Sequence, residues 1–141
     1  MEARPTALEA ATKALARRDR SAADLRTYLE RRGAAPDEAR RAVERLREAG
    51  YVDDARYASA RAEVLAGRGF GDDAVRFELE RDGLADGEIV AALNELVPER
   101  ERAIAVVAAA RTPLGGIRRL AAKGFSADAI EAAAAVAHLD G

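Results

Sequence analysis

Three glycines, Gly33, Gly83 and Gly124, are the centres of a hydrophobic pattern that repeats along the chain. A leucine stands four residues before each glycine, and apolar residues stand six, ten and thirteen residues after it. The spacing of the three apolar residues after each glycine is typical of one face of an amphipathic helix. Glycine readily adopts the left-handed conformation that ends a helix. Each glycine therefore predicts a helix, a tight turn and a second helix. The apolar residues are Leu29, Ala39, Val43 and Leu46; Leu79, Ile89, Leu93 and Leu96; and Leu120, Ile130, Ala134 and Ala137.

A further helix is predicted before each of these pairs, because helix-starting residues precede them. Ser, Thr and Asp cap the first amides of a helix, and Pro fits the first helical position. The predicted starts are Thr6, Ser21 and Pro36; Asp53 or Asp54, Asp72 and Asp86; and Pro98, Ile117 and Ser126. The helix from Pro98 is expected to end near Arg111, and residues 112–116 are expected to connect it to the next helix.

The predicted fold class is all-α, with about nine helices arranged as three tandem three-helix repeats in an elongated, curved array. No segment shows the alternation of apolar and polar residues that predicts a strand. The predicted boundaries are 1–50 for the first unit, 51–97 for the second and 98–141 for the third. A unit of this size is near the lower limit for independent folding, so the units are expected to pack on one another or on a partner.

Composition agrees with several small cores, because large apolar residues are scarce. Ala accounts for 36 residues, whereas Leu, Ile, Val and Phe together account for only 29. Ala is the best helix former, and it lets helices approach closely. The absence of Cys excludes disulfides and thiolate metal sites. No apolar run approaches the ~20 residues of a membrane span, and a cytoplasmic location is expected.

Charge differs between the units. Residues 1–50 carry 12 basic and 9 acidic groups, residues 51–100 carry 6 and 12, and residues 101–141 carry 5 and 4. Arginines of the first unit are candidate contacts with acidic groups of a protein partner or with DNA phosphates, since guanidinium binds both in a two-pronged manner. A solvated surface with local ion pairs is the alternative. The candidates are Arg17, Arg18, Arg20, Arg31, Arg32, Arg40, Arg41 and Arg45.

The sequence offers little for catalysis, so the chain is expected not to be an enzyme and to need no cofactor or metal. The one histidine, His138, is expected at the surface near the chain end, and no Cys can act as a nucleophile. The paired carboxylates at residues 53–54 and 72–73 fall at predicted helix starts. The glycines of residues 67–71 follow a helix rather than a strand, which does not fit a dinucleotide-binding loop.

Residues 50–58 are interpreted as a structural joint between the first two units. Gly50 ends a helix, Tyr51 and Val52 form an apolar pair, Asp53 and Asp54 begin the next helix, and Arg56 and Tyr57 lie in its first turns. An apolar contact beside a capped helix start fixes the angle at which the chain enters the helix. Direct contact with a ligand is the alternative. The residues assigned to this joint and to the related motifs below are Gly50, Tyr51, Val52, Asp53, Asp54, Arg56, Tyr57, Gly69, Gly71 and Gly83.

These motifs resemble the RecX family of RecA regulators. Similar segments are residues 50–58, Arg68-Gly69-Phe70-Gly71, residues 78–84, Ser21-x-x-Asp24-Leu25 leading to Arg32-Gly33, and Lys123-Gly124-Phe125-Ser126, and the resemblance covers the chain from about Ala14. It implies tandem three-helix repeats. It also implies binding to the RecA filament, with inhibition of filament extension, ATP hydrolysis and strand exchange, and weak nonspecific DNA binding. Because the surface is rich in Ala, the chain is expected to be a monomer.

A helix-turn-helix DNA-binding protein is the alternative, because three-helix units with a glycine turn also occur in that class. The sequence pI of about 5.6 is low for a domain dedicated to nucleic acid.

Overall fold

The computed structural model describes residues 5–140, with side chains described for residues 5–137, so the histidine His138 predicted at the surface lies outside the described side chains. Within this range the chain forms nine α-helices and no strand, which confirms the predicted fold class. The helices are α1 (Ala7–Arg17), α2 (Ala22–Arg31), α3 (Pro36–Glu48), α4 (Asp54–Gly67), α5 (Asp72–Arg81), α6 (Asp86–Glu95), α7 (Glu99–Ala109), α8 (Pro113–Ala122) and α9 (Ala127–Asp140). None of these helices is long and apolar enough to cross a membrane.

Several helix starts have the predicted caps. Oγ1 of Thr6 accepts from the amide of Glu9, and Oδ1 of Asp53 accepts from the amide of Arg56. Asp86 was predicted as a cap and is instead the first helical residue, since Ala85 occupies the N-cap position without a side-chain hydrogen bond. An acid in the first turn still suits this end of a helix.

The start of α8 differs from the prediction. Residues 112–116 were expected to connect α7 to a helix beginning at Ile117, but Thr112 caps the helix and Pro113 is its first residue. Two consecutive glycines, Gly115 and Gly116, have low helix propensity and hid this first turn. Close packing explains one of them, because a Cβ at Gly116 would lie 2.8 Å from Cα of Val107. Correspondingly, α7 ends at Ala109.

The buried side chains form three separate clusters, one for each successive set of three helices. The first two clusters contain the predicted stripe, with Leu29, Val43 and Leu79 among the buried residues. In the third cluster Ala129 and Ala133 are the buried residues of α9, and Ile130 only packs against them from the edge. The buried positions of α9 are thus shifted by one residue from the predicted Ile130 and Ala134. The small side chains of Ala129 and Ala133 let α9 approach α7 closely.

Extensive helix–helix packing occurs only within each set of three helices, where the first and third helices pack against each other and the second packs on both. Neighbouring units meet at two small junctions instead. We call these the first joint, between the first and second units, and the second joint, between the second and third units.

Candidate partner-binding surface and the joints that support it

The first joint is centred on the start of α2. Ser21 is fully buried, and its Oγ accepts from the amide of Asp24 while donating to the backbone oxygen of Asp82 at the end of α5. The amide of Ala22 donates to Oδ1 of Asp54 at 2.8 Å. The first residue of α4 therefore supplies a carboxylate to the start of the previous unit's middle helix.

Close backbone packing accompanies these hydrogen bonds. Gly83 has φ +78°, and a Cβ on it would lie 2.4 Å from the Cβ of Ala23. Both the left-handed conformation and the lack of space require glycine here. The glycine that the sequence pattern assigned to a turn within the second unit thus also forms the contact surface between two units.

Arg56 holds the linker that enters α4. Its guanidinium donates to the backbone oxygens of Gly50 and Tyr51 at 3.2 and 3.3 Å, and it lies 3.4 Å from Oδ1 of Asp19 in the first unit. The predicted apolar pair is divided, because Val52 is 1% exposed and belongs to the first core, whereas Tyr51 is 66% exposed. Of the two side chains, only that of Val52 therefore packs in the first core, whereas that of Tyr51 is exposed.

Tyr57 connects the start of α4 to the end of α5. Its hydroxyl donates to Oδ2 of Asp82 at 2.8 Å, and the backbone oxygen of the same aspartate accepts from Ser21. Burial and this hydrogen bond to a carboxylate raise the pKa of Tyr57 to about 12, because both favour the neutral phenol. No local sequence pattern indicates this contact, since the two residues are 25 positions apart.

The second joint repeats the plan of the first. Glu99 is the first residue of α7, and its carboxylate accepts from the amide of Asp72 at 2.7 Å, as Asp54 accepts from Ala22. It also accepts from the amide and the hydroxyl of Ser126 at 3.2 and 2.6 Å. Glu99 thus ties the start of α5 to the start of α9.

Backbone groups also meet directly at the second joint. The amides of Gly71 and Asp73 donate to the backbone oxygens of Lys123 and Gly124, respectively, at 2.8 and 3.1 Å. A Cβ on Gly71 would lie 2.4 Å from Cα of Phe125. The end of α8 therefore abuts the start of α5, as the end of α5 abuts the start of α2.

Arg102 has the role in the second joint that Arg56 has in the first. It donates to the backbone oxygens of Val97 and Phe70 and to Oδ1 of Asp72. Its side chain is only 13% exposed. Sequence reasoning missed Glu99 and Arg102. Aligning the first residues of α4 and α7 would have matched Glu99 with Asp54, although their charge alone did not show which amides they bind.

The remaining residues of the predicted joint have local positions. Gly69 takes a positive φ of +90° where α4 ends, and the Cβ position of this glycine is open. Asp53 caps α4. Of the residues assigned to the predicted joint, the first joint therefore contains Gly50, Asp54, Arg56, Tyr57 and Gly83, and the second contains Gly71.

The predicted arginine contacts of the first unit fall into two groups. Arg17, Arg31, Arg41 and Arg45 are exposed, and in the described part of the chain they form no ion pair. Arg41 and Arg45 are one turn apart on α3, opposite the face that carries Ala42 and Val43 into the core. Both guanidinium groups are thus exposed on the outer surface without a carboxylate within 4.0 Å in the described part of the chain.

The other arginines of the set are engaged. Arg40 lies 3.1 Å from Asp37, and Arg18 and Arg20 lie 3.6 and 3.1 Å from Asp24. Arg20 is 11% exposed, and its guanidinium lies 4.5 Å from the centre of the Tyr28 ring, while that of Arg32 lies 4.9 Å from the same ring. Arg20 therefore has a structural position at the base of the first joint.

Comparison with known proteins supports the resemblance in sequence and in fold. The family model for the first three-helix domain of RecX matches residues 7–46. The regulatory protein RecX of Halorhodospira halophila is 34% identical over 142 residues, which cover 94% of this chain and 88% of that protein. The RecX protein of Xanthomonas axonopodis pv. citri is 41% identical over 88 residues, covering 62% of this chain and 54% of the relative.

Solved structures have the same fold. The crystal structure of RecX from Lactobacillus salivarius superposes with a TM-score of 0.80, at 18% identity, over 94% of this chain and 95% of that chain. A second crystal structure of a regulatory protein RecX gives a TM-score of 0.75 at 20% identity, over 90% and 69% of the two chains. With its sequence and its helical fold both in agreement with these proteins, the chain belongs to the RecX family of regulatory proteins.

Proposed function

We propose that this chain is a cytoplasmic, non-catalytic regulator that binds the RecA filament on single-stranded DNA. Bound there, it inhibits filament extension, ATP hydrolysis and strand exchange, and so regulates recombination and DNA repair. The observation that carries the proposal is the pair of similar joints, which hold three small helical units in a fixed succession. Membership of the RecX family supports the choice of partner.

A succession of units is suited to a partner that is itself a repeating polymer. Each unit presents only a small surface, but units that are held together bind at a high effective concentration once the first has engaged. A chain that contacts adjacent protomers favours the filament state in which those contacts fit. Inhibition of ATP hydrolysis then follows from a shift in RecA's own conformational population, without a catalytic group in this chain.

Arg41 and Arg45, which form no ion pair in the described part of the chain, are the proposed contact of the first unit with acidic groups of RecA. Charged contacts at the rim of an interface mainly set orientation and association rate. The second unit, residues 51–97, carries 11 acidic and 5 basic groups, so the net charges of the first two units differ in sign. This difference gives the array a defined direction on its partner.

The test is the ATPase activity of RecA on single-stranded DNA with substoichiometric amounts of this protein. We expect inhibition by the unaltered chain. The double substitution Arg41→Glu and Arg45→Glu should raise the half-inhibitory concentration by about tenfold, which corresponds to about 1.4 kcal/mol. The matched control is Arg26→Glu with Arg47→Glu, which changes the net charge equally at other exposed positions. Equal effects of the two pairs would remove Arg41 and Arg45 from the interface, and no inhibition at any ratio would refute the regulator.

The chain is proposed to act as a monomer. At both joints the amide of a middle helix's first residue, Ala22 or Asp72, binds a carboxylate of the next unit. The corresponding residue of α8 is Pro113, which has no amide hydrogen. The end of the third unit therefore lacks the donor that another unit would need. Light scattering coupled to gel filtration should give the monomer mass of 15.0 kDa.

Weak, sequence-independent contact with DNA is the remaining part of the proposal. It is supported by exposed, unpaired basic residues in the first and third units. A protein dedicated to DNA through a helix-turn-helix would instead show base preference and a steep salt dependence. Binding measured on several sequences over a range of salt concentrations separates the two possibilities.

A further inference from the structure

A basic groove crosses the boundary between the second and third units, and sequence reasoning did not identify it. Its larger part has a volume of about 640 Å³ and includes Arg68, Arg119 and Lys123 in its lining. A neighbouring hollow of about 320 Å³ shares Arg119 and adds Arg111. None of the residues lining either part is acidic.

The four basic residues come from three different segments that the second joint brings together. Arg68 follows the end of α4, Arg111 lies between α7 and α8, and Arg119 and Lys123 lie one turn apart at the end of α8. In sequence they are spread over 56 positions, among them several acidic residues. The near-zero charge of the third unit therefore conceals a surface of one sign.

The charges in this groove are uncompensated and one of them is held in place. In the described part of the chain none of the four basic side chains lies within 4.0 Å of a carboxylate. Nζ of Lys123 lies 4.6 Å from the centre of the Phe70 ring, and its backbone oxygen accepts from Gly71. Attraction between an ammonium and an aromatic face helps to fix the side chain.

The shape and chemistry of the groove favour a chain of phosphates over an acidic peptide. The floor consists of small side chains, including Ala105 and Ala109 of α7, and the Cβ positions of Gly67 and Gly69 are open. The walls are helices whose interior backbone groups are already hydrogen-bonded, so an extended peptide finds little main chain to pair with. Phe70 already has Lys123 over its ring, which leaves contacts to phosphate rather than stacking with bases.

We propose that this groove binds the sugar–phosphate backbone of a nucleic acid strand without reading its sequence. The inference rests on the DNA contact in the proposed function and assigns that contact to the second joint. Arg41 and Arg45 of the first unit are left to the protein partner. A regulator built this way contacts protein at one end of the array and nucleic acid at the other.

The test measures binding of a fluorescein-labelled (dT)20 strand by fluorescence polarisation in the absence of RecA. Single-strand binding weakens with salt by about 0.7 in the logarithmic slope for each phosphate neutralised. Arg68→Gln with Arg119→Gln should therefore lower the slope by about 1.4 and weaken binding at least fivefold at low salt. The matched control is Arg26→Gln with Arg47→Gln, which removes the same charge outside the groove and should change binding less than twofold.

Circular dichroism and urea midpoints equal to those of the unaltered chain would show that both variants fold. Equal loss of affinity in both variants, or no binding by the unaltered chain at low salt, would overturn the inference. Displacement of (dT)20 by poly-glutamate at equal charge concentration would also overturn it, because the groove would then recognise acidic chains in general. The RecA ATPase test is separate, and inhibition that persists in the groove variant leaves the regulator proposal intact.

Discussion

Glu99 should contribute more to stability than a surface carboxylate without such contacts, because it joins two units. Its side chain accepts hydrogen bonds from the amide of Asp72 and from the amide and hydroxyl of Ser126. A hydrogen bond to a charged group contributes about 1.5–3 kcal/mol. The site is partly exposed, so water replaces part of what is lost, and we expect Glu99→Ala to lower the free energy of unfolding by about 3 kcal/mol in total.

The assay is urea unfolding followed by circular dichroism, with Glu101→Ala as the matched control. Glu101 lies in the same first turn of α7, is exposed and forms no ion pair or hydrogen bond in the described part of the chain. The control substitution should cost less than about 0.5 kcal/mol. A loss of 3 kcal/mol should also lower the melting temperature by about 6–12 °C for a chain of this size.

Hydrogen exchange locates the effect. In Glu99→Ala the amides of Asp72 and Ser126 should exchange faster, whereas amides in the first unit, such as that of Leu25, should be unchanged. If the urea midpoints of Glu99→Ala and Glu101→Ala agree within error, the carboxylate does not hold the second joint together, and the joint depends on backbone packing alone.

Three further predictions concern the first joint. Gly83→Ala should destabilise the chain more than Gly50→Ala in urea unfolding, because both glycines have positive φ but only Gly83 would place a methyl group against a neighbouring unit; equal costs would contradict this contact. Ser21→Ala should lower the free energy of unfolding by about 2 kcal/mol, and Thr112→Ala, which removes a cap alone, by about 1 kcal/mol. Only the serine hydroxyl also forms a hydrogen bond across units, so equal losses in urea unfolding would show that this bond adds no stability. The pKa of Tyr57 is raised from 10.0 to about 12, so the unfolded state loses this proton at lower pH than the folded state, and the stabilisation is complete below pH 10 and falls as the pH rises toward 12. Tyr57→Phe should show a smaller fall in stability over this range. The difference in tyrosinate absorbance between the unaltered chain and Tyr57→Phe should titrate near pH 12, and a difference that titrates near pH 10 would refute the buried hydrogen bond.

The helices could be predicted from the sequence because their signals are local. The spacing around Gly33 and Gly83, and caps such as Thr6 and Asp53, lie within one or two turns of the residues they control. The start of α8 was missed for the same reason, since Gly115 and Gly116 oppose a helix locally. The need for glycine at Gly116 depends on α7, because a Cβ there would lie 2.8 Å from Cα of Val107.

The sequence indicates where the first joint lies but not which groups form hydrogen bonds across it. The motif at residues 50–58 indicated a junction, but the partner of Ser21 is 61 residues away and that of Asp54 is 32 residues away. Contacts at such separations depend on how whole units pack, which no local pattern encodes. The basic groove was missed because charge was summed along the chain, whereas Arg68, Arg119 and Lys123 meet only after the second joint has formed.

The succession of middle helices also gives the array an electrical polarity that its net charge of −2 does not reveal. A helix carries about half a positive charge at its N-terminus and half a negative charge at its C-terminus. The end of α8 meets the start of α5, and the end of α5 meets the start of α2, so opposite partial charges cancel at each joint. What remains of the helix dipoles is a positive end at Thr112 and a negative end after α2. The middle helices thus leave unlike partial charges at the two ends of the array, and a partner that is itself polar can distinguish one orientation from its reverse.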